Sequence, residues 1–338
     1  MKKIARHALA IMGLSIICAA VGTAAQDNPY IGRWALTIPG GGAGWLGVTQ
    51  EAGYLDASIL WGGGSVVPVD SVFMDGDTLY VVRLQKVERK DAGGKLVRTH
   101  MLPEVIAAKV EGDALRLTQL QPRRDSTGVD RREFTGKRTP PLPARPDLSK
   151  AKYGQSIVLF DGKNLDGWTL TDPGQKSGWS VEDGVMVNNP VQREGQPHFS
   201  YGNLRTVAEF EDFNLKLEVN VGKGNNSGIY LRGIYEIQVA DTYGRGLNSH
   251  NMGGVYSRIK PRVSAEKPAG QWQTFDITLL DRHVTVILNG KTIIDNEPLL
   301  GCTGGAMWSD EFKPGPIYLQ GDHTGVNYRN IVLKPILK

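Results

Sequence analysis

Several short runs in the C-terminal half of the chain place acidic, basic and amide side chains at every second position. In 215–220, Leu215, Leu217 and Val219 alternate with Lys216, Glu218 and Asn220. In 227–232, Ile229 and Leu231 oppose Tyr230 and Arg232, and in 235–240, Ile237 and Val239 oppose Glu236 and Gln238. In 316–322, Ile317 and Leu319 oppose Tyr318, Gln320 and Asp322. Alternate residues of a strand face the same way. If these strands are neighbours, one face carries Glu218, Tyr230, Arg232, Glu236, Gln238 and Gln320. Carboxylates can move protons, while a guanidinium and amides can hold oxygens beside aromatic rings. That set suits a polyhydroxylated ligand such as a sugar. The competing reading is a solvated sheet face with ordinary ion pairs.

His323 stands in a Gly- and Asp-rich run at a strand end, where binding loops gather. Its ordinary pKa near neutrality suits it to donate a proton, although a satisfied surface histidine is the plainer alternative. Asp241, Asp322, His323 and Glu236 offer oxygen and imidazole donors for a divalent ion such as Ca, Mn or Mg. No spaced motif demands such an ion, and the sequence requires no cofactor.

These residues need strands to hold them. The second half reads as all-β: no stretch keeps a helical period, and 284–292 is a hairpin turning on Asn289-Gly290. The strand count favours a two-sheet jelly-roll sandwich over a small barrel. The segment 243–268, centred on His250 to Tyr256, reads as a loop over the sheet, and its length fits a substrate lid. Tyr256 is a candidate substrate contact. Trp272, just beyond, is a candidate to stack on a sugar ring, with core packing as its rival.

The first half is also β-rich. Short apolar runs from Gly32 to Gly136 are broken by Gly40-Gly41-Gly42, Gly62-Gly63-Gly64, Asp75-Gly76 and Gly93-Gly94. Eight or nine hairpin-linked strands predict a small up-and-down barrel over 26–138. Gly32-Arg33-Trp34, with Phe134-Thr135-Gly136-Lys137-Arg138 at the far end, resembles a lipocalin-type barrel. Trp34, Trp45 and Trp61 are expected in cores rather than as ligand platforms. Residues 139–155, with Pro140, Pro141, Pro143 and Pro146, form a stiff linker or a strap before a second domain at 156–338.

Residues 1–25 have the form of a signal peptide: Lys2, Lys3 and Arg6, then an apolar run, then Thr23-Ala24-Ala25. The run is short for a membrane span. The expected location is periplasmic or secreted. Lipid attachment at Cys18 is a rival, weakened by Ile17 before it. That segment carries three of the 39 basic residues and none of the 35 acidic ones, so the remainder is close to neutral. No Lys/Arg run is left to bind nucleic acid. Of two cysteines only Cys302 then remains, which excludes an internal disulfide and a cysteine-based metal site. A buried, inert thiol is expected there rather than a nucleophile.

Further runs give the second half a family likeness. They are Leu159-Phe160-Asp161-Gly162-Lys163-Asn164-Leu165-Asp166-Gly167-Trp168, Trp179-Ser180-Val181-Glu182-Asp183-Gly184 and Asp212-Phe213-Asn214-Leu215-Lys216-Leu217-Glu218. Next come Gly224-Asn225-Asn226-Ser227-Gly228-Ile229-Tyr230-Leu231-Arg232-Gly233 and Tyr235-Glu236-Ile237-Gln238-Val239-Ala240-Asp241. Lys267-Pro268-Ala269-Gly270-Gln271-Trp272, Leu319-Gln320-Gly321-Asp322-His323 and Tyr328-Arg329-Asn330-Ile331 complete the set. In this order and spacing the segment resembles the 3-keto-disaccharide hydrolase family. The first half lies outside the likeness.

The resemblance implies a concanavalin A-like jelly roll whose concave sheet holds sugars. It also implies a glycoside substrate with its C3 hydroxyl oxidised to a ketone, which a separate oxidoreductase must supply. A C3 ketone acidifies the C2 proton, and the enolate left by its removal can expel the glycosidic oxygen from C1; water then adds. On that chemistry Glu236 or Glu218 is expected to take the proton, Arg232 and Gln238 to hold the ketone oxygen, and His323 to protonate the leaving oxygen. A non-catalytic carbohydrate-binding protein and a conventional two-carboxylate glycosidase stand as alternatives.

Overall fold

The computed structural model describes residues 28–192 and 199–337. The expected signal segment with Cys18, and also His198, lie outside the described residues.

The first half forms one antiparallel, curled meander. Its strands are β1 (Gly32–Thr37), β2 (Ala43–Gln50), β3 (Leu55–Trp61), β4 (Val67–Pro68), β5 (Ser71–Asp75), β6 (Thr78–Lys90), β7 (Leu96–Glu111), β8 (Ala114–Pro122) and β9 (Val129–Arg138). They lie in the order β4-β3-β2-β1-β9-β8-β7-β6-β5, with β1 paired to both β2 and β9. β4 and β5, at the two ends of this sheet, follow one another in the chain and pair with β3 and β6 rather than with each other. Strand β7 runs unbroken through Pro103. The proline is tolerated because pairing with β8 begins only at Val105, which leaves that part of β7 at an edge.

After a single 3-10 turn at Leu148–Lys150 the chain builds a sandwich. Its strands are β10 (Lys152–Tyr153), β11 (Ile157–Phe160), β12 (Trp168–Leu170), β13 (Trp179–Glu182), β14 (Val185–Asn188), β15 (Leu204–Thr206), β16 (Phe213–Val221), β17 (Asn226–Leu231), β18 (Tyr235–Ala240), β19 (Gln273–Leu280), β20 (His283–Leu288), β21 (Lys291–Pro298), β22 (Tyr318–Leu319) and β23 (Val326–Leu337). One sheet has nine strands, β13-β14-β23-β16-β19-β20-β21 with β10 and β11 on β23; the other has five, β12-β15-β22-β17-β18. The apolar residues of β16, β17, β18, β19 and β23 meet between the sheets in one core, as alternation requires. The Asn289-Gly290 hairpin has φ of 51° and 80°, the two left-handed residues of a type I′ turn.

The two halves are not independent. Strand β2 is buried on both faces from Ala43 to Val48. Leu46 and Val48 enter the meander's own core with Trp34. Ala43 and Trp45, joined by Leu60 of β3, enter the core of the sandwich instead. Trp45 lies against the Arg258 guanidinium, 4.5 Å from its ring centre, and fills the space a Cβ at Gly301 would need. The proline segment is a strap: Arg282 donates to the carbonyls of Pro140 and Pro141, and Asn296 donates to that of Pro146 at 2.8 Å.

Candidate active-site cavity

A cavity of about 310 Å³ opens over the five-stranded sheet, lined by Asn203, Asn226, Tyr230, Glu236, Tyr256, Tyr318, Gln320, Asp322 and His323, with Gly63, Gly64, Gly304 and Gly305. Its size falls in the range of small-ligand sites. Neighbouring strands set its floor. Tyr230 on β17 pairs directly with Glu236 on β18 and with Tyr318 on β22. The two tyrosine rings stack at 4.1 Å and 11°. Gly228 leaves room for the carboxylate, since a Cβ there would lie 2.5 Å from Glu236 Oε1.

Glu236 is 4% exposed. Tyr230 Oη donates to its Oε2 at 2.9 Å and also lies 2.8 Å from the Gly304 carbonyl. Burial pushes the Glu236 carboxyl up to about 8, against the opposing pull of the Tyr230 hydrogen bond and the nearby His323. The Tyr230 and Tyr318 hydroxyls are likewise pushed up by burial. His323 is half-exposed, and its Nδ1 lies 2.6 Å from Asp322 Oδ1. That hydrogen bond raises the His323 pKa, with Asp322 and Glu236 adding negative charge. Asn203 fixes this run by accepting from the Gly321 and Asp322 amides at 2.7 and 3.1 Å. Oδ1 of Asn226 and Oε1 of Gln320 are buried with no protein partner. Buried acceptors without donors are costly, and both residues line the cavity.

The structure thus gathers Glu236, Tyr230, Gln320, Tyr256, Asp322 and His323 around one space. Five other expected residues, Glu218, Trp272, Arg232, Gln238 and Asp241, are elsewhere. Glu218 is on β16, in the opposite sheet, where Arg329 donates to it at 2.9 and 2.6 Å and Asn330 at 2.7 Å. Burial alone would raise its pKa, but those donors hold it below the ordinary carboxylate range. Trp272 lies on that same sheet side, with the Arg329 guanidinium 4.0 Å from its ring centre. Arg232 fails the expected alternation because β17 ends at Leu231 and Arg232 turns left-handed, at φ 55°. Its guanidinium is spent on the carbonyls of Glu311 and Lys313. Gln238 shares Glu236's strand but does not line the cavity; it is buried, and its Oε1 accepts from the Val239 amide at 3.1 Å. That loop is pinned along β18 rather than hanging free: Gly253 donates to the Gln238 carbonyl, Gln238 to that of Gly254, and Tyr256 to that of Glu236.

As a metal centre the donor set does not fit. Among the described residues no three of His, Cys, Asp and Glu converge where they could hold an ion. Asp241 is outside the cavity and accepts from the Gly224 amide at 2.9 Å.

Asn203, Asn226 and Tyr318 were not among the sequence-derived site residues. Tyr318 shared the face of Gln320 and was legible on that ground. Asn203 and Asn226 offered no comparable sign, because loop and strand-end positions carry no alternation.

The model of the 3-keto-alpha-glucoside-1,2-lyase-like domain family matches residues 155–334. The chain belongs to this family. A 3-keto-disaccharide hydrolase of Bacteroides thetaiotaomicron is 26% identical over 167 residues, covering 41% of this chain and 57% of that protein. The chain therefore spans little more than half of that relative's length. Among solved structures, a Parabacteroides distasonis protein provisionally named a glycosyl hydrolase is 29% identical, at a TM-score of 0.44 over 58% of this chain and 93% of that one. A lichenase from a mouse hindgut metagenome is 10% identical, at a TM-score of 0.31 over 54% of this chain and 99% of that one. Among the described residues, every strand of the matched domain belongs to the two sheets of the sandwich.

Proposed function

We propose that this protein cleaves 3-keto-glycosides by elimination and hydration, with Glu236 as the base. The observation that carries this reading is a buried carboxyl, raised to about 8, in the same cavity as the Asp322-supported imidazole of His323. A carboxylate of raised pKa is a stronger base than an ordinary one, and one poised near the working pH serves proton transfer best. Family membership supports the substrate class.

In the proposed reaction Glu236 takes the proton from C2. The electron pair moves into a C2–C3 enolate, whose charge rests on the C3 oxygen. It then returns to form the C1–C2 double bond as the C1–O bond breaks. The leaving oxygen takes the proton of His323. Water adds to C1, C2 recovers a proton from Glu236, and the lost proton of the water restores His323. The net change is hydrolysis, with no change of oxidation state. The Tyr230 hydroxyl stabilises ionised Glu236, while Asn226 and Gln320 accept from sugar hydroxyls. A dehydrogenation at C3, by a separate oxidoreductase, must supply the substrate. The same proposal sets this activity outside the cytoplasm, a reading supported by the signal-like form of residues 1–25.

The decisive assay offers a 3-keto-glycoside and its unoxidised parent side by side. Release of the aglycone from the oxidised substrate alone is expected. Release from the parent would point to a conventional glycosidase, and release from neither to a binding protein. Glu236→Gln is expected to lower turnover by about 10²–10⁴-fold.

A further inference from the structure

We infer that the β3–β4 loop of the N-terminal sheet, Gly62 to Val66, is a specificity-determining wall of this cavity that limits it to short glycosides. This rests on the proposed function and names which of its substrates are admitted. The loop lies outside the family-matched residues 155–334. Yet Gly63 and Gly64 line the cavity beside Glu236 and His323.

The loop is seated against the cavity's own lining. A Cβ at Gly304 would lie 2.0 Å from the Gly64 carbonyl oxygen, so the two backbones meet with no room for a side chain. The Gly304 carbonyl is also the one 2.8 Å from Tyr230 Oη. A single stretch of backbone therefore separates the N-terminal loop from the Tyr230–Glu236 pair. Two anchors hold the loop down: Ser65 Oγ lies 2.8 Å from His250 Nε2, and the Val66 amide donates to Ser257 Oγ at 2.9 Å. His250 in turn packs edge-on against the cavity residue Tyr256, at 4.7 Å between ring centres and 88° between planes. Ser65 is thus a positioning residue, acting on Tyr256 through His250. The face of the loop toward the cavity carries no side chain, because it is glycine. A backbone wall excludes by its position while leaving the space beside it open.

Gly63 makes the idea testable. Unlike Gly62 and Gly64, with φ of 77° and 78°, Gly63 does not have a positive φ. A Cβ there meets nothing within 4 Å. A large residue at 63 therefore enters open space at the cavity edge without backbone strain. The experiment compares Gly63→Phe with the full-length wild type on a methyl 3-keto-glucoside and on a 3-keto-disaccharide, with melting temperature as the folding control. The expected result is a loss in kcat/KM for the disaccharide about tenfold or more larger than that for the methyl glycoside, with the melting temperature kept. Equal effects on both substrates, or none, in a folded variant overturn the inference while leaving the proposed reaction intact. Ser65→Ala is expected to raise KM several-fold with kcat unchanged, and Ser65→Thr to restore it; a fall in kcat alone would count against the positioning role. A wild-type protein that neither turns over nor binds any 3-keto-glycoside removes the proposed function and this inference together.

Discussion

The Tyr230 hydroxyl sits between two acceptors, Glu236 Oε2 at 2.9 Å and the Gly304 carbonyl at 2.8 Å. One hydroxyl has one proton to give. When Glu236 is ionised the charge-assisted bond to it wins; when Glu236 is protonated, its own proton can be given to the tyrosine oxygen, freeing the tyrosine to donate to Gly304. Tyr230→Phe removes the bond that favours ionised Glu236. The Glu236 pKa should then rise by about one unit, the equivalent of a hydrogen bond to a charged group. The optimum of the pH–rate profile should then move to higher pH. An unmoved optimum at full rate would mean that the bond does not reach the reacting carboxylate.

Glu236 also has a cost for folding. Its folded pKa of about 8 lies above the ordinary 4.5, so the folded state keeps a proton that the unfolded chain releases. Stability is therefore expected to fall as pH rises between those values, by about 1.4 kcal/mol per pH unit. Glu236→Gln removes this dependence. The variant should melt higher than the wild type above about pH 5, with a gap that widens up to about pH 8. Parallel melting curves at all pH values would show that the carboxyl is not buried in its charged form's disfavour.

His323, if it protonates the leaving oxygen, should matter in proportion to the basicity of that oxygen. His323→Asn is expected to cost about 10²–10³-fold on an alkyl or sugar aglycone and little on a nitrophenyl one. The free enzyme needs an ionised base and a protonated acid, so kcat/KM should be bell-shaped. The two groups sense each other, and the limbs belong to the pair rather than to either residue. Equal losses on both aglycones would assign His323 to binding.

Glu218 is the contrasting carboxylate. Glu218→Gln leaves the cavity untouched and removes the negative charge that faces Arg329. Turnover should stay within about twofold, with at most a modest loss of stability, since the pair is partly solvent-exposed. A collapse of turnover in the folded variant would place catalysis on the other sheet.

Cys302 is 1% exposed, and burial pushes its thiol up to about 12. A thiol reagent should label the native protein only at the rate of unfolding, and labelled amounts should rise in denaturant. Rapid native labelling would contradict the buried placement.

How much of this was legible beforehand follows from what strands encode. Alternation is local, so Glu236 and Tyr230 could be assigned to a polar face, and the run 235–240 is a strand, β18, as expected. Arg232 failed because a turn begins one residue after β17 ends, and glycine at 233 permits that turn without announcing its start. Glu218 failed for another reason: alternation gives the face of a strand but not the sheet to which the strand belongs.

By itself the sequence determined the all-β class, the two β-rich halves, the polar faces of individual strands and the family of the second half. These depend on neighbours in the chain, on period-two patterning and on runs of residues in order. Only the tertiary structure decided which carboxylate is buried and which meets an arginine, because that depends on which sheet each strand joins. It alone seated Gly63 and Gly64 beside Glu236. Their place there is set by the packing of β2 and β3 onto the sandwich, through contacts such as Cys302 with Gly44 that join residues far apart in the chain.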